Sequence, residues 1–145
     1  MTPVFLDASG LIAVANTDDQ WHFQAEAAWS GLVGSNSPLV TTSLVLLELG
    51  DGLSRINQRS LAVALYDRLR MSPRVRIMPA NLELEAAAWE LFRQRPDKTW
   101  GVTDCASFIV MKQLGIEAAF TVDRHFEQAG FRRLITSEGL EHEKR

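Results

Sequence analysis

Residues 38–53 read PLVTTSLVLLELGDGL, and the division of this stretch decides the fold. "PLVTTS" is short, rich in β-branched residues and opened by Pro38, which suits a buried strand. From Ser43, a suitable N-cap, the pattern changes to an apolar helix. A strand that feeds directly into a helix is the repeating unit of an α/β protein, and the same unit recurs on both sides.

Upstream, "PVFLDAS" (3–9) reads as a first strand, and helical spacing in residues 10–33 resumes after a polar break at Asn16–Gln20. Downstream, helix continues over 61–69 until Pro73 breaks it, and "VRIMPA" (75–80) is a third strand. "NLELEAAAWELFRQRP" (81–96) places Leu82, Ala86, Trp89 and Phe92 on or near one face. "TWGVTDCASFIVMKQLG" (99–115) is a further helix with Asp104 in its first turn and Gly115 where a left-handed cap is expected. "EAAFTVD" (117–123) and "FRRLIT" (131–136) complete the strands. This alternation implies a parallel sheet covered by helices on both faces, an α/β sandwich.

The length of 145 residues suits one domain, expected over 1–137, with 138–145 (EGLEHEKR) as a charged, frayed tail. No signal peptide and no membrane segment is expected, because no apolar run approaches the roughly 20 residues a spanning helix needs. Cys105 is the single cysteine, which excludes an internal disulfide and a cysteine-based zinc site. A cytoplasmic location is the expectation that follows. The net charge of −3 argues against a surface that grips nucleic acid by global electrostatics. One local patch runs against that balance: Arg55, Arg59, Arg68, Arg70, Arg74 and Arg76 face a single acid, Asp67, within residues 53–76. Arg55 and Arg59, four residues apart, are its candidates for gripping a polyanion on one helical surface; a solvated helix face is the other reading. Arg124 and His125, adjacent to Asp123, are candidates for contact with phosphate, with a rim salt bridge and an exposed imidazole as the preferred readings; His22 and His142 read as surface residues. Trp21, Trp29, Trp89 and Trp100 read as core or interface residues.

Four acids stand where acids are costly. Asp7 and Asp123 are placed at the ends of strands, where parallel sheets receive ligands. Glu48 emerges from an apolar helix among Leu44, Val45, Leu47 and Leu49. Asp104 opens its helix, where an acid also meets the helix dipole favourably. Two carboxylates about 4 Å apart repel by roughly 4 kcal/mol at an effective dielectric of 20, so a cluster of four requires cations. An oxygen-only ligand set points to magnesium or manganese over zinc.

Around these acids the stretches VFLDASGLIAV (4–14), TTSLVLLEL (41–49), WGVTDCASFIVMKQLGI (100–116) and AFTVDRHFEQAGFRRL (119–134) resemble the PIN-domain ribonucleases. The likeness is strongest to the VapC-like toxins of type II toxin-antitoxin systems, and it spans residues 4–134 in order. The resemblance implies a three-layer α/β/α sandwich around a mainly parallel sheet and metal-dependent endonucleolytic cleavage of RNA. It places Asp7, Glu48, Asp104 and Asp123 on the family's acidic positions, with one or two Mg2+ or Mn2+ ions. Ser9 matches a small polar residue of the first motif that holds Asp7 or a metal-bound water; a plain turn hydroxyl is the alternative. A homodimer and a cognate antitoxin are the implied protein partners. Asp7, Asp104 and Asp123 are the expected principal ligands, and Glu48 completes the shell or orients water. A haloacid-dehalogenase-like phosphatase is disfavoured because Ser9 stands where a second Asp is needed. A non-catalytic PIN-like module binding RNA or protein is the remaining alternative.

Overall fold

The computed structural model describes residues 2–137. The expected tail, 138–145, and His142 within it lie outside the described residues. In chain order the elements are β1 (Val4–Leu6), α1 (Ala8–Ala15), α2 (His22–Ser35), β2 (Leu39–Thr42), α3 (Ser43–Gly52) and α4 (Arg59–Met71). They continue with β3 (Val75–Met78), α5 (Leu82–Gln94), α6 (Val102–Leu114), β4 (Ala118–Phe120), α7 (His125–Gln128) and β5 (Arg132–Arg133).

The strands form one sheet in the order β3-β2-β1-β4-β5, and every adjacent pair is parallel. β1, β2 and β4 are buried at every residue, which demands cover on both faces. The chain steps from β1 through β2 to β3, then returns past β1 to β4 and β5. Right-handed crossovers turn that reversal into two helical layers, α1–α4 on one face and α5–α7 on the other. The packing agrees: α1 meets α2 and α3, whereas α5 meets α6 and α6 meets α7. The α/β/α sandwich with a parallel sheet is therefore the observed fold. Its topological switch point falls between β1 and β4, where a crevice opens beyond the strand ends.

α1 comes unusually close to β4. A Cβ on Gly10 would stand 2.4 Å from the Phe120 carbonyl oxygen, so only glycine permits this approach. On the other face, Phe126 of α7 is fully buried against Phe108 of α6, ring centroids 5.0 Å apart, and Phe5 of β1 at 6.4 Å. Burying one such ring contributes about 2–3 kcal/mol, and it clamps α7 to α6. Among the described residues no helix is long and apolar enough to cross a membrane.

Several local expectations are corrected. Ala8 and Ser9 belong to α1 and not to the first strand, because Leu11 N already donates to the Asp7 carbonyl at 3.1 Å. Thr42 caps α3 in place of Ser43: its hydroxyl accepts from Val45 N at 3.1 Å, while the Ser43 hydroxyl accepts from Ala80 N at 2.8 Å. β4 ends at Phe120, so Asp123 stands on the following loop and not at the strand's end. Leu82, Ala86, Trp89 and Phe92 of α5 are exposed; the helix packs instead through buried Ala88 with Leu84 and Leu91, since small Ala88 allows close approach. Trp100 is buried, Trp21 and Trp29 are partly so, and Trp89 alone of the four tryptophans is largely exposed.

Candidate active site

Register builds the first part of the site. β1 pairs with β4 through Val4, Phe5 and Leu6 opposite Ala118, Ala119 and Phe120. One step further, Asp7 comes opposite Thr121, and the Thr121 hydroxyl donates to Asp7 Oδ2 at 2.8 Å. Ser9, on the first turn of α1, donates to the same oxygen at 2.7 Å. Each hydroxyl also accepts a backbone N–H: Val122 to Ser9 at 3.1 Å and Asp123 to Thr121 at 3.0 Å. Because each hydroxyl has a single proton, both are committed to Asp7 and the network is oriented toward its carboxylate. Oδ1 accepts no hydrogen bond among the described residues.

Asp7 is only 5% exposed. Burial pushes its carboxyl up to about 6; the Ser9 and Thr121 hydroxyls oppose the rise, and Asp104 and Asp123 add to it. Glu48, on α3 and partly buried, is pushed up to about 7, first by burial, then by Asp7, Asp104, Asp123 and Asp51. The four acids thus feel one another across the crevice at the switch point. Ionising all of them together is unfavourable without added positive charge.

Asp104 and Asp123 are tied together by a histidine. Asp104 Oδ2 accepts from Gly101 N at 3.0 Å, the dipole-end contact anticipated for a first-turn acid. Burial raises its carboxyl above the usual range; this N–H and His125 oppose that rise, and Asp123 reinforces it. Asp123 Oδ1 accepts from His125 N at 2.9 Å, closing a tight turn into α7. His125 Nδ1 then lies 3.2 Å from Asp104 Oδ2 and 3.2 Å from Asp123 Oδ2, while Nε2 lies 3.2 Å from the Thr99 hydroxyl. With two carboxylate oxygens around it, Nδ1 is the ring nitrogen placed to donate. One ligand atom each from Asp104, Asp123 and His125 falls within 4.8 Å of the others, a spacing that admits a metal ion.

The structure therefore brings Asp104 and Asp123 together, sets Asp7 and Glu48 within electrostatic reach of them, and places Ser9 on Asp7. His125 is corrected from an exposed imidazole to a half-buried bridge. Thr121 was not singled out in the sequence; its only signal is the register that sets it opposite Asp7. His22 is corrected as well: its ring contacts the Ala13 carbonyl at 2.8 Å and Glu26 at 3.3 Å.

Arg55 and Arg59 do not share a helical surface. Arg55 lies in the link between α3 and α4, while Arg59 opens α4 and donates to the Ser54 carbonyl at 3.0 Å. Both are exposed, and neither pairs with any of the four acids among the described residues. Arg74, from the same basic stretch, is structural: it donates to the carbonyls of Leu32, Val33 and Ser37 at 2.7, 3.3 and 2.8 Å, closing the C-terminal end of α2.

The chain matches the PIN domain family model over residues 4–132. It is 32% identical over 130 residues to the 23S rRNA-specific endonuclease VapC20 of Mycobacterium tuberculosis, in strains CDC 1551 / Oshkosh and ATCC 25618 / H37Rv, covering 88% of this chain and 95% of the relative. The crystal structure of Mycobacterium tuberculosis VapC20, described as a Sarcin-Ricin loop cleaving toxin, superposes with a TM-score of 0.78 over the same shares of both chains. FitAcB from Neisseria gonorrhoeae, 18% identical, shares the fold with a TM-score of 0.62 over 90% of this chain and 94% of its own. With its parallel sheet and its acids gathered at the β1–β4 crevice, the chain belongs to the PIN domain family.

Proposed function

We propose that this chain is a metal-dependent endoribonuclease of the VapC-like kind, hydrolysing RNA phosphodiester bonds at a four-carboxylate Mg2+ or Mn2+ site within a single domain, residues 1–137. The observation that carries this reading is the set of acids at the switch point: ligand atoms of Asp104, Asp123 and His125 lie within 4.8 Å of one another, and buried Asp7 has no donor on Oδ1 among the described residues. The 32% identity to a chain named as an rRNA-specific endonuclease supports the same conclusion.

The residues fit a hard cation, because their donor set is oxygen-rich and their charge is uncompensated. Asp7, Asp104 and Asp123 would hold it, with His125 orienting the last two through Nδ1. A bound divalent ion supplies charge neutralisation and polarises the scissile phosphate. Glu48, on α3 beside the same crevice, would orient the attacking water and accept its proton. The water oxygen bonds to phosphorus while the phosphorus–oxygen bond to one ribose breaks, and the departing ribose oxygen takes a proton from solvent. Ser9 and Thr121 keep Asp7 turned into the crevice.

RNA is the substrate, and a cognate antitoxin covers the site in the cytoplasm until the enzyme is released. The exposed Leu82, Trp89 and Phe92 of α5 supply an apolar face for a homodimer. The deciding experiment incubates purified protein with total RNA, 23S rRNA included, in Mg2+ or Mn2+ and in chelator, beside Asp7→Asn. Cutting that needs metal and falls at least about 100-fold in the variant is the expected result. Cutting that persists in chelator, or none in any metal by the folded protein, overturns the reading; the latter leaves a binding module.

A further inference from the structure

Beyond the acids, the same rim carries an open cleft of about 460 Å3 lined by polar and charged residues: Arg124, Glu127, Arg132, Arg133, Thr136 and Ser137. Topology explains its place. β5 runs parallel to β4, so the chain leaving β5 through Thr136 and Ser137 emerges beside the loop that leaves β4 and bears Asp123. Arg124 follows Asp123 directly, which sets their Cα atoms about 3.8 Å apart. Arg133 ties the cleft to that loop: its guanidinium donates to the Val122 carbonyl at 2.8 Å and to Glu127, and stacks 5.8 Å over the Trp21 ring. Arg133 is thus fixed and largely neutralised by Glu127. Arg124 and Arg132 are exposed and have no carboxylate partner among the described residues.

Two guanidinium groups without a carboxylate partner among the described residues, beside two hydroxyls and next to an anionic centre, call for an anionic ligand. Guanidinium forks match phosphate oxygens, and hydroxyls serve phosphate or ribose equally well. A peptide partner would need an apolar anchor, and the cleft offers none. Resting on the ribonuclease reading, we propose that this cleft is a subsite for a phosphodiester of the RNA strand adjacent to the one cut, held by Arg124 and Arg132 with Thr136 and Ser137. It lets an acidic protein hold a polyanion at a single place and fixes the strand's direction across the carboxylates.

The test measures binding of a fluorescein-labelled single-stranded RNA, one the wild type cuts in Mg2+, by anisotropy in chelator over a salt series. Arg124→Gln/Arg132→Gln is expected to weaken binding about 10-fold at 0.1 M salt and to lower the slope of log K against log salt by about 0.7 to 1.4, the loss of one or two phosphate contacts. Arg93→Gln, on exposed α5, is expected to match the wild type. If the double variant melts below the wild type, Arg124→Gln alone carries the test, with half the slope change. Wild-type affinity and slope in a folded variant overturn the subsite while leaving the nuclease standing. A variant that keeps RNA affinity but loses binding to a polyglutamate probe assigns the cleft to an acidic protein and also overturns it. A wild type that neither binds nor cuts RNA removes the ribonuclease reading and the subsite with it.

Discussion

Asp7 concentrates the tension of this site in one side chain. It is buried, it faces other acids, and two hydroxyls oppose the resulting rise in its pKa without cancelling it. Asp7→Asn keeps an acceptor for Ser9 and Thr121 while removing the buried charge. Without metal at pH 8 the variant is therefore expected to melt about 5 °C above the wild type, and to lose the Mg2+-induced gain in melting temperature that the wild type shows. Scanning calorimetry with and without Mg2+ checks both; a lower metal-free melting temperature would count against Asp7 as a strained ligand. Thr121→Val removes the donor to Asp7 and the acceptor for Asp123 N, at a cost of about 1–2 kcal/mol, and is expected to slow cleavage about 10- to 100-fold. Denaturant unfolding and an RNA cleavage time course read the two effects separately. The acids stood out in the sequence because a carboxylate within an apolar run is anomalous before any fold is known. Thr121 did not, because its meaning arises only when β1 and β4 pair in their actual register. His125 was misread for the same reason: its partners come from α6 and from the turn before α7, which no spacing displays.

At the level of elements, the contact between α1 and β4 holds the crevice closed from below. Gly10→Ala would put a methyl group against the Phe120 carbonyl, and a backbone atom cannot swing aside as a side chain can. A loss of about 2–3 kcal/mol is expected, with a fall in activity as Asp7 and the Asp123 loop move apart. By contrast, a Cβ at Gly52 meets the outer atoms of the Ile12 side chain, Cδ1 at 2.4 Å and Cγ1 at 3.4 Å, which can swing aside, so Gly52→Ala serves as the milder control in the same unfolding series. The strand-helix alternation was legible because buried parallel strands leave continuous apolar runs that polar breaks and prolines delimit. What escaped was local hydrogen-bond competition. Thr42 outcompetes Ser43 as the cap because the Ser43 hydroxyl serves Ala80 N, and α7, four residues long, is too short for periodicity to reveal. The outward turn of Leu82, Trp89 and Phe92 was hidden because an apolar stripe does not say whether its partner lies within the same chain.

For the whole molecule, the gathered acids make stability depend on pH in a sense opposite to ordinary acid denaturation. Folding raises Asp7 from 3.8 to about 6 and Glu48 from 4.5 to about 7, and Asp104 moves the same way. Between about pH 4 and pH 7 the folded protein therefore holds protons that the unfolded chain has released, so its stability falls as pH rises through that window. Above pH 7 these groups are ionised in both states, and the penalty is complete. In chelator the melting temperature is expected to be on the order of 5 °C lower at pH 8 than at pH 5.5. Mg2+ is expected to recover most of that difference at pH 8 and to do little at pH 5.5, where protons occupy the same carboxylates. A melting temperature in chelator that rises from pH 5.5 to pH 8 would show that the acids are solvated and independent. The expected fall, reversed by a divalent cation, would identify the crevice as a site whose charge is balanced by an ion.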